Sequence, residues 1–143
     1  SLTRVQKILP DGFAILQNNS FVFGDTVICG TRGWQCPDGA FADDHDEKIF
    51  RRELGRLKLS LDSAPKDTAR KIVMLHYPPV NGRQEKSEFV ELMEQYHVDI
   101  CLYGHLHSHA VRTALEGVHW GIEFQLVSAD YLSFQPKLIL QNL

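Results

Sequence analysis

The sequence predicts an α/β fold, and three features carry that expectation. Two continuous apolar runs of strand length, Ile72-Val73-Met74-Leu75 and Val98 to Tyr103, suit strands covered on both faces. Between them, Ser87 to Tyr96 places Phe89, Leu92, Met93 and Tyr96 at helical spacing. Residues 71 to 103 therefore read as β-loop-α-β, the unit of a layered α/β sheet. At 143 residues, 43% hydrophobic and 23% charged, the chain suits one globular domain spanning 1–143.

The remaining elements follow in chain order. Leu2, Val5, Ile8 and Leu9 have helical spacing within Ser1 to Leu9, and Pro10-Asp11-Gly12 reads as a turn. Phe13 to Leu16, Ser20 to Phe23 and Thr26 to Cys29 read as short strands, punctuated by Asn18-Asn19 and Gly24-Asp25. Gly30 to Asp43 holds Gly30, Gly33, Pro37 and Gly39, and is a loop long enough to suggest function. A long helix follows, with Asp44 as its cap, Glu47 as the reciprocal partner and Ala64-Pro65 as its close. Phe50, Leu54, Leu57 and Leu61 form its apolar stripe. From Val111 to Leu140 the pattern alternates enough for three or four antiparallel strands, broken near Gly117, Gly121 and Pro136.

Composition excludes some classes. The net charge of −3 disfavours long nucleic acids and anionic membranes as partners. No apolar run approaches the roughly 20 residues that span a bilayer, and no segment resembles a signal peptide. Cys29, Cys36 and Cys101 are odd in number and widely spaced. That argues against a disulfide framework or a CxxC zinc site, and it fits a reducing, cytoplasmic setting.

The chemistry concentrates where the buried strands end. His76 follows Leu75 directly, and His105 and His107 follow the strand that ends near Tyr103. Ligands of open α/β sheets bind beyond the carboxyl ends of strands, so neighbouring strands would bring three imidazoles together. Imidazole nitrogen suits Zn, Fe, Mn, Ni or Cu better than Mg or Ca. Gly104 is expected to let the backbone turn sharply, and Pro78-Pro79 to stiffen the loop after His76. Each histidine also has an ordinary explanation, as a hydrogen-bonded or solvent-facing residue at a strand end. Convergence of all three is the favoured expectation.

Other candidates are weaker. His109 extends the alternate spacing and is assigned to support or surface. His45, His97 and His119 are assigned to a cap neighbour, a helix end and a strand face. Arg32, in Thr31-Arg32-Gly33-Trp34, can clamp a phosphate, although an exposed loop arginine is the plainer alternative. Asp43, Asp44, Asp46 and Glu47 form an acidic cluster that a helix N-terminus already explains.

Met74-Leu75-His76-Tyr77-Pro78-Pro79 and Tyr103-Gly104-His105-Leu106-His107 resemble the last two motifs of the calcineurin-like metallophosphoesterases. Gly30-Thr31-Arg32-Gly33-Trp34 is similar to a bacterial branch of predicted phosphohydrolases. The similarity runs over nearly the whole chain. It implies a four-layer α/β/β/α sandwich, a mixed sheet with helices outside, of which this chain would be the C-terminal half. The family's first three motifs, Asp-x-His, Gly-Asp-x-x-Asp and Gly-Asn-His-Asp/Glu, have no counterpart here.

The resemblance implies metal-dependent phosphomonoester or phosphodiester hydrolysis on a two-cation site of Mn, Fe or Zn. His76 and His105 would hold one ion, His107 the other, and Arg32 would bind substrate, a small phosphate ester. The backbone carbonyl before a ligand, or a nearby carboxylate, is expected to orient each imidazole. Three neutral imidazoles offer nothing anionic to bridge two cations, so the isolated chain is expected to bind at most one ion and to be inactive. A half-fold should also leave Ile72 to Leu75 or Val98 to Tyr103 without a neighbour, inviting a partner chain at the sheet edge. The alternatives are a non-catalytic protein-contact module on the same fold and a mononuclear three-histidine metal protein.

Overall fold

A computed structural model describes residues 2–140. A short helix α1 (Leu2–Gln6) precedes the hairpin β1 (Ser20–Phe23) and β2 (Thr26–Thr31). Then come α2 (Asp44–Asp62), β3 (Arg70–Leu75), α3 (Glu88–Gln95) and β4 (Ile100–Tyr103). A 3₁₀ helix (Ser108–Thr113) leads to β5 (Gly117–His119) and β6 (Ile122–Leu126). The fold is α/β, with a mixed six-stranded sheet ordered β1-β2-β3-β4-β6-β5. Strands β2, β3, β4 and β6 are mutually parallel, whereas β1 and β5 pair antiparallel at the two edges.

Both long helices pack on the same face of the sheet. Val27, Cys29, Val73, Leu75, Cys101, Tyr103 and Phe124 meet Phe50, Leu57 and Leu61 of α2 and Phe89, Val90 and Met93 of α3. Phe50 stands at the centre, with its ring centroid 5.2 Å from Phe41 and 4.9 Å from Phe89. The opposite face carries Ile72, Ile100 and Leu102, against which Val127, Ile139 and Leu140 pack, and Met74 there is 43% exposed. Leu16 also lies over this face. A Cβ on Gly30 would fall 2.1 Å from the Met74 carbonyl oxygen and 2.8 Å from Leu16 Cδ2, so β2 requires glycine at that point.

Several expectations need correction. Phe13 to Leu16 is irregular, not a strand, and Phe13 faces solvent. In the first segment the helix is a single turn, and Val5 and Ile8 are exposed. Strand β2 runs on to Thr31 because it pairs with β3 through Leu75. Asp43, not Asp44, caps α2, accepting from the Asp46 amide at 2.8 Å, while Glu47 donates its backbone N–H to the Asp43 carbonyl. The α2 stripe is rotated, with Glu53 and Ser60 buried and Leu54 only partly so. β3 is covered on its second face only in part, because Ile72 is buried there and Met74 is exposed.

Two larger corrections concern the sheet. Beyond residue 111 the described residues contain two strands, not three or four, and β6 is parallel to β4. Strands β3 and β4 are interior, each with a neighbour on either side, so the edge expected to be unpaired is not there. The sparsely covered feature is a face of the sheet, not one of those strands' edges. The turn joining β5 and β6 places Trp120 (φ 51°) and Gly121 (φ 78°) in the left-handed region, the pattern of a tight primed hairpin turn. Cys29, Cys36 and Cys101 are buried and free. No helix among the described residues is long and apolar enough to cross a membrane.

Candidate functional site

Four parallel strands release the chain at one edge of the sheet, and the candidate residues follow immediately. Arg32 comes after β2, His76 after β3, His105 after β4 and Asp130 shortly after β6. Backbone bonds tie these exits together. The Arg32 carbonyl accepts from both the His76 and Tyr77 amides at 3.0 Å. Gly104 N–H donates to the His76 carbonyl at 3.2 Å, and Val127 N–H to the Tyr103 carbonyl at 2.8 Å.

His76 and His105 are brought together. His105 Nδ1 lies 3.2 Å from His76 Nε2, and the rings stand nearly perpendicular, 5.0 Å apart. At the roughly 2.1 Å typical of a metal–imidazole bond, two nitrogens 3.2 Å apart would subtend about 100° at a shared ion, between octahedral and tetrahedral angles. The same contact is also compatible with a hydrogen bond between two neutral rings. Partial desolvation, followed by the nearby His105, Arg32 and His107, holds the His76 imidazole below its ordinary pKa. Tyr77 packs on His105 at 4.3 Å between centroids and restrains that ring.

His107 is turned to a different partner. Its Nδ1 lies 2.7 Å from Asp130 Oδ1, while Asp130 Oδ2 accepts the Ser108 N–H at 3.0 Å. Those bonds, the Ser108 amide first, hold the Asp130 carboxyl below the usual range. Asp130 is thus the nearby carboxylate expected to orient an imidazole, which leaves His107 Nε2 as the outward donor atom. Among the described residues, no group of three His, Cys, Asp or Glu is arranged to hold an ion. His109 lies exposed on the 3₁₀ helix, not on a strand.

The sharp turn is built differently from the expectation for Gly104. His105 itself takes the left-handed conformation (φ 69°), as does Ser108 (φ 51°). A non-glycine residue in that region is uncommon and is a recurrent feature of functional sites. Below Gly104, the buried Ser128 hydroxyl has no hydrogen-bond partner among the described residues.

Arg32 is exposed yet held. Its guanidinium sits 4.7 Å from the Trp34 ring centroid and 3.4 Å from Glu53 Oε1. Glu53 is fully buried, accepts from Thr31 Oγ1 at 2.9 Å and from Arg56 at 2.7 Å, and also contacts Arg52. One carboxylate therefore anchors three guanidiniums on the α2 side of the site. Trp34 is fixed in turn by donating its indole N–H to Asp46 at 3.0 Å.

Asp130 and Glu53 were not singled out from the sequence. Glu53 carried a signal, since it lies three residues after Phe50 and four before Leu57, on the α2 stripe. Asp130 carried none, because its role depends on β6 lying beside β4. The acidic group at 43–47 is engaged in capping and in holding Trp34. His97 follows the end of α3, His119 lies on exposed β5, and His45 is exposed in the first turn of α2. No protein-family model matches the chain, and no curated protein or solved structure matches it.

Proposed function

We propose that this chain contributes part of a metal-dependent phosphoesterase site. The supporting observation is the 3.2 Å approach of His76 Nε2 and His105 Nδ1 at the carboxyl ends of neighbouring parallel strands. These two imidazoles would share one divalent ion, Mn, Fe or Zn, and His107 would address a second. Bound ions would polarise a phosphoryl oxygen and acidify a water. The protein's own groups do the rest. Asp130 sets the His107 ring, Tyr77 restrains His105, and Arg32, steadied by Glu53 and Trp34, offers its guanidinium to a phosphoryl oxygen of a small phosphate ester.

Among the described residues, the carboxylate hydrogen-bonded at the rings is Asp130, and it is already engaged by His107 and Ser108. Two cations without a bridging anion repel strongly. The bridging carboxylate would therefore come from polypeptide outside these residues, and the chain alone would bind one ion without turnover. The three buried, unpaired thiols fit a reducing cytoplasm.

Cobalt(II) titration followed by visible absorption tests this. The expected result is one equivalent bound, with the signal lost in both His76→Ala and His105→Ala. A cobalt spectrum indifferent to both substitutions would exclude the metal site. Manganese-dependent cleavage of an aryl phosphate by the chain alone, lost on His107→Ala, would overturn its incompleteness. A non-catalytic protein-contact module is the second assignment, favoured by the open apolar face around Met74. It would prevail if all three histidine variants left metal binding unchanged.

A further inference from the structure

Beside the histidine pair lies a cleft of about 490 Å³, in the size range of small-molecule sites. His105 and Tyr77 form one wall, so the cleft opens beside one of the imidazoles assigned above to the metal. Its other walls come from the loop at residues 35–42 and the turn at 78–82. The lining has a definite chemical character. Phe41 and Tyr77 supply aromatic surface, and Pro78, Val80 and Leu106 supply aliphatic surface. Asp38 and Asp46 supply carboxylates, and no Lys or Arg is among the described lining residues.

The polar groups divide further. Asn81 is fully used inside the protein. It donates to the Pro37 carbonyl and to Glu85, and it accepts from the Arg83 and Glu85 amides. Asp46 keeps one carboxylate oxygen after Trp34 takes the other. Among the described residues, the charged partner of Asp38 is Arg83, at a long 3.9 Å. The cleft therefore presents acceptors and negative charge beside aromatic surface. It repels a second phosphate and favours hydrogen-bond donors.

Building on the phosphoesterase assignment, we propose that this cleft receives the leaving group, and that the substrate is a single-phosphate ester of a neutral or cationic, ring-bearing alcohol. Hydrolysis would break the bond between phosphorus and the ester oxygen. That oxygen takes a proton and departs into the cleft as the free alcohol, while the oxygen of water remains on phosphorus. The two carboxylates disfavour polyphosphates and nucleic-acid chains.

Ligand-observed NMR on the whole chain tests the proposal with three probes of similar size: tyramine, 4-hydroxybenzyl alcohol and 4-hydroxyphenylacetate. Tyramine is expected to bind at least about tenfold more tightly than the anionic probe, with the neutral alcohol between them. Asp38→Asn and Asp46→Asn should each narrow that ratio, and amide spectra confirm that each variant is folded. Equal binding of all three probes, or preference for the anion, overturns the proposal. Manganese(II) added to the tyramine complex separates this from the underlying assignment. Ligand broadening that disappears in His76→Ala, a residue outside the cleft, supports a metal at the imidazoles. Charge preference without such broadening retains the cleft and overturns the phosphoesterase assignment.

Discussion

The two faces of the sheet differ sharply in how they are covered. On one, α2 and α3 seal Val27, Val73, Cys101 and Phe124 completely. On the other, Ile72, Ile100 and Leu102 lie under a few residues of irregular chain, and Met74 is 43% exposed. Both faces are apolar, and both derive from the same strands. An apolar run in a parallel strand therefore records that a face suits burial, but not what buries it. The contrast also separates tasks. The helix-covered side supplies cohesion, and the strand exits supply the candidate chemistry.

The largest expected effect tests that contrast directly. Phe50→Ala, in the sealed aromatic cluster, should lose about 3–5 kcal/mol in urea unfolding, whereas Met74→Ala should lose about 1 kcal/mol or less. Equal losses would mean that the sparsely covered face is packed as an interior. Gly30→Ala sharpens the comparison, because it lies on the sparse side and should still cost about 1–3 kcal/mol. The atom its Cβ meets is the backbone of β3, which cannot turn aside as a side chain would.

Glu53→Gln should have a smaller effect, about 1–2 kcal/mol by the same measurement. Its partners Arg32, Arg52 and Arg56 are partly exposed and regain water when the charge is removed. The smallest effect concerns pH. Burial pushes the Cys36 thiol up to about 11 from its ordinary value of 9.0. The unfolded chain would release that proton first, so stability should fall as pH rises from 9 towards 11. In Cys36→Ala that slope should be shallower, as read from thermal unfolding across the alkaline range.

Legibility from sequence followed the range of the interactions. β3, α3 and β4 were visible because their apolar spacing is local, although Ser87, read as the first residue of that helix, proves to be its cap, bonded to the Phe89 and Val90 amides. The pairing of His76 with His105 followed once two parallel strands were placed side by side. What escaped depended on distant segments. Phe13 to Leu16 alternates weakly, yet among the described residues no strand pairs with it. The direction of β6 is set by β4, and Asp130 reaches His107 only because of it. The left-handed turn fell on His105 although glycine stood next to it, where the Gly104 N–H is bonded to the His76 carbonyl.

That bond is one link in a row running Arg32 to His76 to Gly104 across three chain exits. Each carbonyl in the row secures the amide of the next loop, so no loop can lift without breaking a bond that its neighbour shares. The imidazoles consequently stand in water on a rigid footing. Their reach towards a ligand is limited to ring rotation, and the two rings should keep their separation whether a guest is present or absent. The amides of His76, Tyr77 and Gly104 should exchange with solvent deuterium as slowly as those of the sheet interior, although the histidine side chains are exposed.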